Sequence, residues 1–309
     1  MGGFFVSALH KSSGKTSVSI GIAASLKARG YKIQTFKKGP DYIDALWLTS
    51  ASGRSCRNLD FHTMSPDFIK EYFHTYEKYS HVSLVEGNKG LFDGVSVEGT
   101  DSNAALATLL DLPVVLVIDA RGMTRGIAPV VQGYLGFDRN VQISSIILNQ
   151  VGGARHETKL RAAIENYTDM RVIGAMGQHP EMEIPERHLG LIPANETKEA
   201  SNLIQHARRI VDQAVDINSL ATTLSKGEEP ATLALSVTPS LPYNLRIAVA
   251  NDLAFGFYYP DDLEAIRHSG ATIIPFDTLR DEKLPNCDGL FIGGGFPETQ
   301  ASELSANVS

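Results

Sequence analysis

Short apolar runs recur along the first two thirds of the chain, with amphipathic stretches between them. FFVSAL (residues 4–9), YKIQTF (31–36), HVSLVEG (81–87), PVVLVID (113–119), SSIILNQ (144–150) and MRVIGAM (170–176) are near-continuously hydrophobic, as strands covered on both faces must be. Residues 16–29 have helical spacing and end at Gly30, where a helix-terminating glycine belongs; residues 103–110, 127–135 and 156–166 are further helical segments. Strands alternating with helices predict an α/β fold with a doubly wound, mainly parallel sheet, which binds ligands at the carboxyl ends of its strands. Residues 198–220 read as helix. The period is then lost in KGEEPATLALSVTPSLPYN (226–244), which reads as a linker. A second α/β unit begins with RIAVAN (246–251), a helix at 261–268, ATIIPF (271–276) and GLFIGGG (289–295). The pattern divides the chain into a domain at 1–220, a linker at 221–244 and the incomplete start of a second domain at 245–309, shorter than such a unit normally is.

Composition changes this picture little. A net charge of −7 argues against nucleic-acid binding, though a local basic cluster can still hold an anionic small molecule. No apolar run reaches the ~18 residues of a membrane span, and the start lacks the basic region of a signal peptide, so neither membrane nor export is expected. Cys56 and Cys287 lie far apart and imply no disulfide framework, so a cytoplasmic location is the default. His62, His156 and His188 lack metal-ligand spacing and read as structural or substrate-lining; Trp47 reads as core.

The chemistry sits where strands end. HKSSGKTS follows the first strand and opens the first helix, the context of a phosphate loop, although Leu9 stands where the general pattern has its first glycine. Ser12, Ser13, Gly14, Lys15, Thr16 and Ser17 are the candidates to bind nucleotide. Lys15 would reach the β and γ phosphates and the Thr16 hydroxyl would bind Mg²⁺. Lys11 would contact phosphate across a homodimer, or is a solvated lysine. FKKGPDYID (36–44) follows the second strand, and its two lysines and two carboxylates suit Mg²⁺ and phosphate as well as they suit a solvated loop. VEGNKGLFDG (85–94) places Glu86 at a strand end and Asp93 either at a second metal or acceptor site or in a simple turn. Arg121 and Arg125 follow the next strand, where they hold carboxylates or pair structurally. Asn149 is positioned to recognise adenine or to close a turn.

Taken together, FKKGPDYID, CRNLDFH, VEGNKGLFDG, VVLVIDARGMTRG, IILNQVGGARH and PERHLGLIPANE, in this order and spacing over residues 4–197, resemble the cobyrinic acid a,c-diamide synthase family, related in fold to dethiobiotin synthetase. The resemblance implies ATP- and Mg²⁺-dependent amidation of the a and c carboxylates of a tetrapyrrole polycarboxylate through an acyl phosphate, with glutamine or ammonia as nitrogen donor. It implies catalytic roles for Lys15, Asp44 and Asp93 and metal binding by Thr16, Asp41 and Glu86. The basic Lys37, Lys38, Lys89, Arg121 and Arg125 would draw in the polycarboxylate by charge, and Lys37, Tyr42, Lys89, Arg121 and Arg125 are the candidates to bind it. Residues 246–297, ending in GGGFPE, resemble the start of a class I glutamine amidotransferase domain. That domain's cysteine is expected beyond Ser309, since Cys287 precedes its strand, so the chain is expected to be a fragment that does not hydrolyse glutamine. The Lys11–Ser12 stretch is less glycine-rich than the family's loop. VEGNKGLFDG and DSNAALATLLD also resemble a sirohaem-amidating branch, with a nickel-sirohydrochlorin branch as a further relative. Two rivals from other classes are a ParA/MinD-like ATPase that organises partners and a non-catalytic tetrapyrrole carrier.

Overall fold

The computed structural model describes residues 2–187, 190–194, 199–224 and 244–308. The chain forms two compact units, one of residues 1–192 and 199–232, the other of 193–198 and 233–309. The linker read at 221–244 falls mostly outside the described residues, as does His188.

The first unit runs β1 (Gly3–Ala8), α1 (Lys15–Ala28), β2 (Ile33–Lys38), α2 (Ile43–Ser52), β3 (Arg57–Leu59), α3 (Pro66–Glu77), β4 (Val82–Glu86), α4 (Asn103–Leu109), β5 (Val114–Asp119), α5 (Ile127–Phe137), β6 (Ile143–Val151), α6 (Ala154–Tyr167) and β7 (Val172–Gly177). A two-strand pair, β8 (Glu186–Arg187) and β9 (Gly190–Leu191), then precedes α7 (Ala200–Ala214) and α8 (Ile217–Leu224). Seven strands form one sheet in the order β3-β2-β4-β1-β5-β6-β7, all parallel. From β1 the chain winds outward to β2 and β3, returns to insert β4, then crosses β1 to lay down β5, β6 and β7. The direction of winding therefore reverses around β1, which puts the opening for a ligand at the carboxyl ends of β1, β4 and β5.

Both faces are covered. Phe5, Phe36, Val85, Leu116 and Leu148 pack with Ile69 and Phe73 of α3, Leu106 of α4, Val131 of α5 and Leu160 of α6 in one apolar core. On the other face α1 lies between sheet and α7, so residues 18–26 are buried all round. That double burial explains why α1 is rich in Ala, Ser, Gly and Ile rather than plainly amphipathic. Several elements went unread in the sequence, among them α2, α3, β3 and the β8–β9 pair. The helix α3 begins at a clear signal, with the Ser65 hydroxyl accepting from the Phe68 amide and Pro66 in the first turn. The strand β3 is three residues long and leaves little periodicity to detect.

In the second unit β10 (Arg246–Ala250), β11 (Phe255–Phe257), α9 (Pro260–His268), β12 (Thr272–Phe276), β13 (Gly289–Phe291), β14 (Gly294–Gly295) and α10 (Ala301–Ala306) follow in turn. A three-stranded parallel sheet has β10 between β12 and β13, and β11 pairs antiparallel with β14.

Candidate active site

The loop between β1 and α1 is bent by Gly14, whose φ of 82° is one that side-chain-bearing residues rarely adopt. A Cβ there would also meet Asn149 Nδ2 at 2.1 Å. Gly14 caps α1 without a side-chain bond, and the first turn carries no acidic residue, so the start of this helix is suited to an anion. Ser13 Oγ donates to the His10 carbonyl at 2.8 Å, and Asn149 Nδ2 donates to the Ser13 carbonyl at 2.9 Å. Asn149, at the end of β6, thus pins the loop itself. Ser12 is exposed with a φ of 63°. The Ser17 hydroxyl turns away and donates to the Met182 carbonyl at 2.9 Å.

The acidic constellation closes against this loop. Parallel register sets Lys37 of β2 opposite Glu86 of β4. Lys37 Nζ lies 2.6 Å from Asp44 Oδ2, 2.8 Å from Glu86 Oε1 and 3.6 Å from Asp41 Oδ2, and donates to the Gly87 carbonyl at 3.1 Å. Lys15 Nζ is 3.4 Å from the same Glu86 oxygen, and the Thr16 hydroxyl is 3.1 Å from Glu86 Oε1 and 3.2 Å from Asp44 Oδ2. Six side chains, from α1, β2, α2, β4 and the loop before α2, therefore share one nest. Lys37, read above as a residue for the substrate, is 1% exposed and buried within this nest.

Burial works against every charge here, and the neighbours decide which way each shifts. Burial alone would lower the Lys37 pKa, but Asp44, Glu86 and Asp41 together hold it well above the ordinary lysine value. Burial likewise opposes ionisation of Glu86, yet Lys37 and Lys15 hold it below the ordinary glutamate value. Asp44 goes the other way: burial pushes it up to about 6 in spite of Lys37, with Asp41 and Glu86 adding like charge.

Buried amides brace the loops that carry these groups. Asn58 donates to the Asp41 carbonyl at 2.6 Å, and the Asp44 amide donates to Asp41 Oδ1 at 3.0 Å. Asn103, fully buried at the start of α4, donates to Ser7 Oγ at 3.2 Å, to the Gly90 carbonyl at 2.7 Å and to the Asn88 carbonyl, while its own oxygen accepts from the Asn88 amide at 2.9 Å. A Cβ on Gly87 would lie 2.6 Å from Asn103 Cγ, so this brace requires glycine in the strand-end loop. The sequence reading had taken Asn103 only as the start of a helix.

The remaining candidates are distributed around the nest. Asp93 Oδ2 accepts from the Gly90 amide at 2.9 Å and so closes the GLFDG turn. Lys89 is exposed with a φ of 38°. Arg121 makes a two-pronged pair with Asp119 on its own turn, with Nη2–Oδ2 at 2.5 Å and Nε–Oδ1 at 3.0 Å. Arg125 donates to the Tyr167 hydroxyl at 2.9 Å, with its guanidinium 5.2 Å from that ring's centre. Tyr42 is half-buried just before α2. His156 accepts from the Gly152 amide and bonds the Met123 carbonyl, and Trp47 Nε1 donates to the Ile192 carbonyl, so both are structural.

The parallel sheet gathers lysines and buried carboxylates at its winding reversal, and residues 6–192 match the CobQ/CobB/MinD/ParA nucleotide binding domain. The chain belongs to that family. Residues 246–309 match the CobB/CobQ-like glutamine amidotransferase domain. Curated relatives extend the likeness. A cobyrinate a,c-diamide synthase of Magnetococcus marinus is 44% identical over 309 residues, covering 98% of this chain and 66% of the relative. Those of Methanosarcina acetivorans and Dehalococcoides mccartyi (strain 195) are each 40% identical, covering 98% of this chain and 64% and 66% of the relatives. The chain thus spans just under two thirds of the length of these relatives.

For a member of this nucleotide-binding family, the donor set fits a hard divalent cation: the Thr16 hydroxyl and the carboxylates of Asp41, Asp44 and Glu86 are all oxygen. Glu86 Oε2 is buried, with no close hydrogen-bond geometry to any partner among the described residues. Among the described residues, however, no three carboxylate, histidine or cysteine groups converge closely enough to hold a metal by themselves. A cation here would need phosphate oxygens or water to complete its shell.

Proposed function

We propose that this chain is the ATP-dependent part of a cobyrinate a,c-diamide synthase, which amidates the a and c carboxylates of cobyrinic acid. The observation that carries this reading is the single nest formed by Lys15, Lys37, Thr16, Asp41, Asp44 and Glu86 beside a helix start open to phosphate. The names of the relatives support it, and the amidotransferase-like match at residues 246–309 favours it over a partner-organising ATPase.

The chemistry asks mainly for positioning and charge neutralisation. A substrate carboxylate oxygen attacks the γ-phosphorus of ATP, the bond to the bridging oxygen breaks, and its electron pair leaves with ADP. The nucleophile is already ionised and needs no general base. Ammonia then adds to the carbonyl carbon of the acyl phosphate, phosphate departs and the nitrogen loses a proton. Lys15 and the α1 amides hold the β and γ phosphates and stabilise the charge that moves between them. Ser12, Ser13 and Gly14 shape that loop, and Asn149 keeps it in register while flanking the nucleotide. Thr16, Asp41, Asp44 and Glu86 are the residues that would hold Mg²⁺, which supplies further neutralisation of the phosphate oxygens. Lys89, Arg121, Arg125 and Tyr42, on loops that follow the strand ends, would anchor the polycarboxylate, and Asp93 fixes the loop that presents Lys89. In this reading, as the family resemblance implies, activation belongs to residues 1–220 and nitrogen supply from glutamine involves 245–309.

The test is product mass spectrometry. The chain is incubated with ATP, Mg²⁺ and ammonium against cobyrinic acid and sirohaem in parallel. The expected product is cobyrinic acid lighter by ~1 Da per amide formed, with Lys15→Met inactive. ATP hydrolysis with no amide on cobyrinic acid would refute the reading, and amide on sirohaem alone would move the substrate to the sirohaem branch.

A further inference from the structure

Lys37 has no counterpart in the role usually given to a phosphate-loop lysine, and it is the most completely satisfied cation of the site. Its ammonium has three hydrogens and three close acceptors, on Asp44, Glu86 and the Gly87 carbonyl, with Asp41 as a fourth neighbour at 3.6 Å. We propose that Lys37 is the resident cation of the nucleotide-free site: its ammonium holds the position between Asp41, Asp44 and Glu86, so a divalent ion enters only together with nucleotide. The inference rests on the reading that nucleotide and a divalent cation share this nest.

Charge and geometry carry it. Three carboxylates face two ammonium groups, Lys15 and Lys37, which leaves one negative charge over. A dication arriving alone would displace Lys37 from all its acceptors or sit beside it as a like charge in a buried place. The carboxylates also fall short of forming a metal site by themselves. Nucleotide phosphates change both terms, because they complete the ion's oxygen shell and give the displaced lysine a new anionic partner. The carboxylates do not depend on Lys37 for their placement. Asp41 and Asp44 are tied to each other through the Asp44 amide, and Glu86 is held in β4. Removing the ammonium therefore leaves uncompensated carboxylate charge, which holds a free ion, its shell completed by water, more tightly than the wild type does.

Mn²⁺ binding to the full chain, read by electron paramagnetic resonance, tests this without turnover. The wild type is expected to leave Mn²⁺ free in the absence of nucleotide and to bind it once a non-hydrolysable ATP analogue is added. Lys37→Met is expected to bind Mn²⁺ without nucleotide at least about tenfold more tightly than the wild type, while Lys37→Arg, which keeps the charge, does not. Circular dichroism checks the fold, and Lys37→Gln replaces Lys37→Met if the latter does not fold. Wild-type binding of Mn²⁺ alone as tightly as with the analogue overturns the proposal, as does a folded neutral variant that gains no binding. A wild type that takes no Mn²⁺ even with the analogue overturns the underlying reading of the nest as well.

Discussion

Asn103 shows how much of this site depends on residues that touch no reactant. Its amide makes four hydrogen bonds that tie the loop after β4 to β1 and to itself, in complete burial. Truncation would strand several backbone groups away from water, each of which costs about 1–3 kcal/mol when left unpaired. Asn103→Ala is therefore expected to lose about 2–4 kcal/mol in urea unfolding at neutral pH, since relaxation recovers part of that sum. The loop carrying Lys89 and Asp93 loosens while the phosphate loop stays braced by Asn149. Substrate KM should rise more than nucleotide affinity falls, and an equal loss of both would count against this division. Lys15, Thr16, Asp41, Asp44 and Glu86 were legible in the sequence because each sits in a contiguous motif at a strand end. Asn103 was not, because its partners are main-chain atoms 13 to 15 residues away and a serine in β1, contacts that no local pattern encodes.

At the level of elements, two residues at the end of β2 decide what the double lysine does. The apolar run suggests a strand at 31–36, whereas pairing continues through Lys37 with β4 and through Lys38 with β3. Backbone hydrogen bonds in a parallel ladder outrank side-chain hydropathy here, which is why the boundary was misread. Inside a strand, neighbours face opposite sides. Lys37 enters the nest; Lys38 is 8% exposed on the other face and makes no hydrogen bond or ion pair among the described residues. Burial lowers the Lys38 pKa, with Asp101 and Asp60 only partly compensating. The folded chain thus gives up this proton below 10.5, where the unfolded chain still holds it, and stability rises with pH across that window. Lys38→Met should equal or exceed the wild type in stability at pH 7, within about 1 kcal/mol, and its advantage should shrink as pH climbs toward 10.5. Denaturation midpoints of the two proteins at several alkaline pH values check the sign, and a pH-independent difference would contradict it.

Across the whole molecule, the two units differ in how they are held together. The composition change after residue 220 and the return of short apolar runs at 246 suggest a division in the sequence, but they say nothing of stability, which depends on what the strands are buried against. In the first unit β1, β4 and β5 are buried along their whole length, with helices on both faces of the sheet. The second unit buries only Ala248, Val249, Ala250, Ala254, Tyr259 and Phe296 among the described residues of 244–308, and no residue of α9 is buried. Leu284, Leu290 and Ile292 stay 46–52% exposed. At about 25 cal/mol per Å² of apolar surface, so small a core offsets little of the entropy of ordering some 65 residues. Opening of β10, β12 and β13 should therefore need far less free energy than opening of the seven-stranded sheet. Amides of β10 and β13 are expected to exchange with deuterium at least about a hundredfold faster than those of β1, β4 and β5, and urea should melt the chain in two steps rather than one. The nucleotide analogue should slow exchange at the ends of β1, β2 and β4, where the nest lies, and leave β10 untouched. Uniform protection across both units would mean that the second is held by something other than its own core.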